Sequence, residues 1–355
     1  MKILITDGES DHALNVLHCF KRRKGLIIYV LSKKKISLVR FSRYCHKFIY
    51  YPPFESENDY LEFIKSMIQE YKIDVLFPVD EDGIQYISKH SLKFQNLCKI
   101  ALIPKSELSL KVSDKWTFYK ALKGSGVNLP DTFLIDEVKE ISCPLILKPR
   151  RGKSGEGIYL IRNLKEIEQL KILKSEYIAQ KFIEGYDIDC SFIARNGSVL
   201  ALIVQKPIRK NNALNFEPAK DLEICKNEQI KSLIESVVKD LSWNGVGHAD
   251  LRYCIETGKF YLIEINPRYW SSILASLAAG INFPMLALDL NPKAQFDLES
   301  YNAIHFLGMK SEIKRIILNR RKKTPSDFSS LYHFIYDPMP YFTYKVNWLL
   351  QRYFH

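Results

Sequence analysis

The sequence predicts an α/β (α+β) protein in which a parallel sheet with covering helices is followed by antiparallel strands. Three observations predict it. Through the first hundred residues, short apolar runs alternate with segments of helical period, which is the pattern of β-α-β units. From Pro144 onward strands succeed one another across short polar turns, which is antiparallel order. The composition is that of a folded chain: 355 residues, 46% hydrophobic and 26% charged, enough for two or three packed units, with no low-complexity tract or repeat of solenoid length.

The elements follow in order. Residues 2–6, KILIT, form a strand; Asp7-Gly8 turns the chain, and Ala13, Leu14, Leu17 and Phe20 recur at helical spacing. Leu26–Leu31 and Asp74–Val79 repeat the strand pattern around a helical Asp59–Tyr71, so a first α/β domain spans residues 1–105. A helical stretch, Lys105–Leu122, is closed by Gly124-Ser125-Gly126 and a turn at Pro130. Leu145–Lys148 and Gly157–Ile161 read as a hairpin across the loop Pro149–Glu156, followed by a helix over Lys165–Lys174. Strands resume at Tyr177–Ile183, Asp187–Arg195, Ser198–Lys206, Gly247–Tyr253 and Lys259–Asn266, with a helix over Asn227–Leu241.

Several classes drop out. The seven cysteines (19, 45, 98, 143, 190, 225, 254) stand singly, without a Cys-x-x-Cys pair, so neither a disulfide framework nor a zinc knuckle is indicated; a reducing, cytoplasmic setting is expected. The N-terminus lacks the pattern of a signal peptide, and no uninterrupted apolar run is long enough to span a bilayer. Net charge is +12, carried by residues 1–50 (+8) and 291–355 (+5), which leaves the middle near neutral. No nucleic-acid cleft is expected there; basic runs such as Lys21–Lys24, Lys33–Lys35 and Arg320–Lys323 read as solvated helix ends and loops.

Two constellations carry chemistry. The loop Pro149-Arg150-Arg151-Gly152-Lys153-Ser154-Gly155-Glu156-Gly157 mixes glycines with cations, so its backbone N–H groups can wrap phosphate oxygens; a plain mobile turn would look the same. Its Gly-Lys-Ser imitates a P-loop, but the first glycine would fall at Leu147 and a hairpin surrounds it. The second is an acidic pair: Asp250 and Glu264 lie 14 residues apart near the ends of consecutive strands, with the turn Glu256-Thr257-Gly258 between them. Strand side chains alternate, so Asn266 shares a face with Glu264 and adds an amide oxygen. Such a hard-oxygen set suits magnesium, whose remaining positions go to phosphate and water. A solvated hairpin face carrying an Asp and a Glu is the alternative reading.

The string Glu264-Ile265-Asn266-Pro267-Arg268 behind the apolar run Phe260–Ile263 resembles the ATP-grasp superfamily, and the match is colinear over about residues 110–290. The resemblance implies an N-terminal pre-ATP-grasp domain (1–105), a nucleotide lobe with a glycine-rich flap (106–183), a metal and catalytic lobe (184–290) and a basic, aromatic-rich helical extension (291–355). It makes Lys115 and Lys148 the two nucleotide-phosphate lysines, and Gly152, Ser154, Gly155 and Gly157 the flap. Gln180, Lys181 and Ile183 fall on the adenine hinge and Asp187 at the ribose position, where the family pattern has acids at 180 and a glutamate at 187. Asp250, Glu264 and Asn266 become metal ligands and Arg268 the guanidinium on the developing oxyanion or phosphate, a catalytic role shared with Lys148.

The cofactors implied are ATP and Mg2+, two ions, for which Mn2+ can substitute. Ser271 and Ser272, ahead of a helix ending at Gly280, resemble the carbamoyl-phosphate-synthase-like branch; with His248, on the face of Asp250, they are candidate substrate contacts. A whole synthase is excluded, because only one set of motifs is present.

The reaction implied joins a small-molecule carboxylate to an amine, or a thiol, through an acyl phosphate, releasing ADP and phosphate. Carboxyphosphate or kinase-like transfer on the same fold is the runner-up, and a non-catalytic nucleotide- or polyanion-binding protein the competing class. Lys206–Lys220 reads equally as a substrate loop or a connection. The aromatics Tyr332, Phe334, Tyr336, Tyr341, Phe342, Tyr344, Trp348, Tyr353 and Phe354 are expected to pack on the protein's own core, with a membrane surface or another subunit as the alternative partner.

Overall fold

The structure is a computed structural model that describes the chain except residues 22, 139–142, 153–154, 209–218, 289–300, 319–327, 344–345 and 347–355. The first sheet is parallel: β1 (Lys2–Ile5), β2 (Ile27–Ser32), β3 (Lys47–Tyr50), β4 (Val75–Phe77) and β5 (Lys99–Ile100), in the order β3-β2-β1-β4-β5. Ile3 and Ile5 point to one face and Leu4 to the other, and all three are fully buried. A sheet buried on both faces needs helices on both, and α1 (Ala13–Phe20), α2 (Glu57–Tyr71), α3 (Glu81–Lys89) and α4 (Ser91–Phe94) come from this region.

The expected single helix over Lys105–Leu122 is two, α5 (Ser106–Ser113) and α6 (Lys115–Leu122). Asp114 lies between them in extended conformation, and its carboxylate accepts from the N–H groups of Trp116 and Thr117. An N-cap aspartate of this kind contributes about 1 kcal/mol, and it sets Lys115 at the first position of a helix. The apolar spacing Leu108, Val112, Phe118, Leu122 runs through the break and hides it.

A four-stranded antiparallel sheet follows: β6 (Thr132–Leu134), β7 (Leu145–Pro149), β8 (Tyr159–Ile161) and β9 (Tyr177–Lys181), in the order β6-β9-β7-β8. The β7–β8 hairpin is present across the glycine loop. The expected helix over 165–174 ends early, as α7 (Lys165–Gln169), and the expected strand 177–183 stops at Lys181.

The third sheet has six strands: β10 (Gly185–Arg195), β11 (Ser198–Pro207), β12 (Leu222–Cys225), β13 (Gly245–Cys254), β14 (Phe260–Asn266) and β15 (Ile304–Phe306), in the order β14-β13-β10-β11-β12-β15. Helix α8 (Glu228–Asp240) covers one face with Ile230, Ile234, Val237 and Val238, all completely buried. Each such side chain contributes roughly 1.5–3 kcal/mol by leaving water. On the other side α9 (Ile273–Ala279) and α10 (Phe283–Leu288) join the first sheet to this one, since Ile3, Val30, Ile203, Val246, Ile273 and Phe283 belong to one core. That shared core holds the carboxyl ends of the parallel strands against the third sheet.

Beyond residue 300, β15 extends the third sheet, and α11 (Met309–Leu318) and α12 (Ser330–Tyr336) follow. Helix α12 lies on the first domain: His333 stacks on His18 at 5.3 Å, and Asp337 accepts from the backbone N–H of Arg43 at 3.1 Å. The Lys21 ammonium, in the first basic run, lies 4.2 Å over the Tyr332 ring. Phe334 packs at a tilt on Tyr341 and Phe342. The run Arg320–Lys323, Tyr344, Trp348, Tyr353, Phe354 and most of Lys206–Lys220 lie outside the described residues. No helix among the described residues is long and apolar enough to cross a membrane.

Candidate active site

The site forms where α6, the end of β7 and the strands β10, β13 and β14 meet. The backbone N–H of Lys115 donates to the Arg150 carbonyl at 2.9 Å, and the Arg150 guanidinium reaches back to the Asp114 carboxylate at 2.7 Å. These ties hold the start of α6 against the end of β7, which brings Lys115 and Lys148 to the same place. Lys115 Nζ lies 3.2 Å from Glu264 Oε2. Lys148 is almost wholly buried, and burial outweighs the pull of Glu264, bringing its ammonium down to about 8.

The metal-ligand candidates converge as strand alternation predicted. Asp250 pairs across β13–β14 with Glu264, and His248 with Asn266. The Asn266 amide lies 3.4 Å from both the Asp250 and the Glu264 carboxylates. Burial would raise Glu264, but Lys115 and Lys148 prevail and hold it down at about 2. Asp250 goes the other way: burial, then the charge on Glu264, push it well above the usual carboxylate range. Two carboxylates that share one point titrate apart because the charge on one disfavours the charge on the other, and the lysines favour it on Glu264. The donor set of two carboxylates and an amide, the amide able to turn its oxygen inward, fits Mg2+.

Arg268 extends from this strand to the first domain. Its Nη1 lies 2.7 Å from His12 Nε2 and donates to the Tyr269 carbonyl at 2.9 Å, and its Nε lies 3.7 Å from Asp80 Oδ1. A guanidinium only donates, so His12 Nε2 is the acceptor in this contact. His12 and Asp80 sit beyond the carboxyl ends of β1 and β4, where the strand order reverses, the usual place for a ligand in an open α/β sheet. Neither residue was indicated by the sequence, since both lie in loops without a motif.

His248 is on the face of Asp250, with Nε2 3.4 Å from Asp250 Oδ1 and Nδ1 2.8 Å from Ser191 Oγ. Burial and the nearby Arg268 hold it at about 3, so it is neutral. Asp189, opposite Asp250 in β10, was also missed: the strand was legible, its register against β13 was not. Burial, then Asp187, raise Asp189 to about 7.

The remaining candidates lie as follows. Gly152, Gly155 and Gly157 are in the β7–β8 loop; Lys153 and Ser154 are outside the described residues. Gly157 has φ +69°, and a Cβ there would come within 2.8 Å of the Tyr177 hydroxyl, so the loop requires glycine at this point. Gln180 is buried in β9 and donates to the Thr132 hydroxyl at 2.9 Å, while the Lys181 N–H donates to the Asp131 carbonyl at 2.8 Å. The carbonyls of Ile183 and Gly185 accept from Arg252, which also pairs with Asp187. Arg252 thus ties together the segment 183–187, unforeseen because its position depends on β10–β13 register. Ser272 accepts from Gln205 Nε2 at 2.7 Å; Ser271 is exposed, and its carbonyl accepts from Asn15 at 3.2 Å.

The ATP-grasp domain family matches residues 112–272. The chain is 25% identical over 255 residues to a D-alanine–D-alanine ligase of Petrotoga mobilis, covering 61% of this chain and 85% of that protein. Among solved structures it is similar to the L-amino acid ligase from Bacillus licheniformis, with a TM-score of 0.64, 19% identity and coverage of 81% and 73% of the two chains. It is similar too to the biotin carboxylase domain of the Hydrogenobacter thermophilus 2-oxoglutarate carboxylase in complex with MgADP, ADP and bicarbonate, with a TM-score of 0.64, 16% identity and coverage of 85% and 72%. The lysine pair, the glycine loop and the Glu-x-Asn strand end all lie inside the stretch, residues 112–272, that matches the ATP-grasp domain family.

Proposed function

We propose that this protein is an ATP- and magnesium-dependent ligase that joins a carboxylate to an amine through an acyl phosphate, releasing ADP and phosphate. One observation carries the reading: Lys115 and Lys148, from the nucleotide side, meet Glu264 beside Asp250 and Asn266. Phosphoryl transfer asks a protein mainly for positioning and charge neutralisation. The two lysines bind phosphate oxygens, and the β7–β8 loop closes over them. Asp250, Glu264 and Asn266 would hold Mg2+, which would supply charge neutralisation to the nucleotide's phosphates. The substrate carboxylate oxygen attacks the γ-phosphorus and ADP leaves. The amine nitrogen then attacks the carbonyl carbon, a C–N bond forms and phosphate departs with the C–O bond pair. Arg268, beside the metal-ligand strand, stabilises the charge that develops on oxygen in both steps.

The similarity to a D-alanine–D-alanine ligase and an L-amino acid ligase favours a C–N-forming reaction on small molecules. In this reading residues 1–105, 106–183, 184–290 and 291–355 are the four parts of the chain, the adenine and ribose sites are at Gln180–Ile183 and Asp187, and the enzyme is cytoplasmic, in keeping with seven free thiols. The test is ADP release from Mg-ATP with pooled carboxylates crossed with pooled amines. Release that needs both pools and is abolished in Glu264→Gln supports it; AMP and pyrophosphate as products refute it.

A further inference from the structure

The Asp250 carboxylate faces two ways. Its Oδ2 lies 3.4 Å from the Asn266 amide, on the side of Glu264, whereas its Oδ1 lies 3.4 Å from His248 Nε2. On that second side stands Asp189, directly across the β10–β13 register from Asp250. One donor atom from each of Asp189, His248 and Asp250 lies within 4.8 Å of the other two.

The residues behind this trio are arranged as they are behind metal ligands. Ser191 is fully buried, and its hydroxyl engages His248 Nδ1 at 2.8 Å, which turns Nε2 toward Asp250. The Trp270 ring stacks on the imidazole at 5.4 Å and 12°, fixing its plane. Asp189 is hydrogen-bonded by the buried Gln205, whose amide is anchored in turn on Ser272. A histidine with its far nitrogen held and a carboxylate with a hydrogen-bonded flank are the usual supports of ligands to an ion.

We propose that Asp189, His248 and Asp250 form a preformed second cation site, bridged through Asp250 to the Asp250–Glu264–Asn266 site, and that it takes a first-row transition ion such as Mn2+ in preference to Mg2+. The bridge rests on the metal role proposed above for Asp250, Glu264 and Asn266. The donor chemistry sets the preference. Magnesium takes oxygen almost exclusively, whereas an imidazole with two carboxylates suits manganese, iron or zinc. The distances suit an ion: with bonds of roughly 2.0–2.2 Å, donors on opposite sides of a metal stand about 4 Å apart, so the trio needs only small side-chain rotations. The two sites are then chemically unequal, one for the nucleotide's magnesium and one held by the sheet itself.

The experiment is Mn2+ titration of the purified chain without nucleotide, followed by the loss of the free-ion paramagnetic resonance signal, with Mg2+ as competitor. The expected result is uptake of Mn2+ that equimolar Mg2+ does not displace. His248→Ala and Asp189→Asn should abolish it, and Ser191→Ala, which keeps every ligand, should weaken it about 10–100-fold. Glu264→Gln should retain this uptake while losing the ion taken up with a non-hydrolysable ATP analogue. Mn2+ uptake only with the analogue, unchanged affinity in Ser191→Ala and Asp189→Asn, or ready displacement by Mg2+ would overturn the second site. None of these results touches the nucleotide-linked one, which fails separately if the analogue brings no ion to the native chain.

Discussion

Lys115 at the start of α6 and Glu264 near the end of β14 form an ion pair of 3.2 Å that joins the helix following the first sheet to the third sheet. Glu264 therefore neutralises a lysine in the free protein, and in the function proposed above it also joins the ligand set for Mg2+. Its carboxyl is held at about 2 instead of 4.5, so the stability it contributes is full above pH 4.5 and is lost as pH falls through about 2. Native protein should accordingly melt above Glu264→Gln at pH 5–6, with the gap closing toward pH 2. A gap that does not change over that range would contradict the assignment.

Lys148 has the opposite sign. In the folded chain its ammonium loses its proton at about 8 rather than 10.5, so folded protein sheds the proton first and this group adds stability as pH rises between those values. Phosphate binding needs the ammonium. Nucleotide affinity in the absence of metal should fall as pH climbs through about 8, by up to tenfold per pH unit beyond it, and Lys148→Arg should flatten the dependence because a guanidinium stays charged. Equilibrium binding of a fluorescent ATP analogue from pH 7 to 9.5 measures it; a flat native profile would count against a phosphate role.

Asp114 acts through Lys115. Asp114→Ala removes the cap on α6 and the partner of Arg150, and should cost about 1–2 kcal/mol in urea unfolding and loosen nucleotide binding. Asp114→Asn keeps a side-chain oxygen for Trp116 and Thr117 and should recover most of the stability but not the Arg150 pair. Equal losses in the two variants would show that the cap is not the main contribution.

What the sequence disclosed and what it withheld divide along a physical line. Asp250, Glu264 and Asn266 were legible because strand alternation and a three-residue turn suffice to bring them together. Lys115 and Lys148 were legible through the family pattern; their meeting at Glu264 depends on the Lys115–Arg150 hydrogen bond, which no local pattern encodes. Asp189, Arg252 and Ser191 were invisible because their parts follow from which residue faces which across β10 and β13. The break at Asp114 was masked by an apolar period continuing on both sides of it. The short strands β3, β6, β12 and β15 owe their existence to neighbours already in place, so a window of sequence cannot announce them.

Gln180, where the family pattern has an acid, puts a hydrogen-bond donor in β9. Its amide donates to Thr132, whose hydroxyl already donates to the Pro130 carbonyl. A glutamate could not donate there when ionised, and would force the hydroxyl to abandon Pro130. Gln180→Glu should therefore destabilise the lobe by about 1–3 kcal/mol, read as a lower urea midpoint with unchanged slope. An unchanged midpoint would mean that β9 tolerates an acid at 180 and that Gln180 is not held by Thr132.

The central claim is that a substrate carboxylate attacks the γ-phosphate. In that mechanism one carboxylate oxygen leaves with the phosphate. Feeding 18O-labelled carboxylate pools with amines and Mg-ATP, and weighing the phosphate released, tests this most directly. The account predicts phosphate carrying one 18O, formed with ADP and absent in Glu264→Gln; unlabelled phosphate alone, or label appearing in AMP, would contradict it.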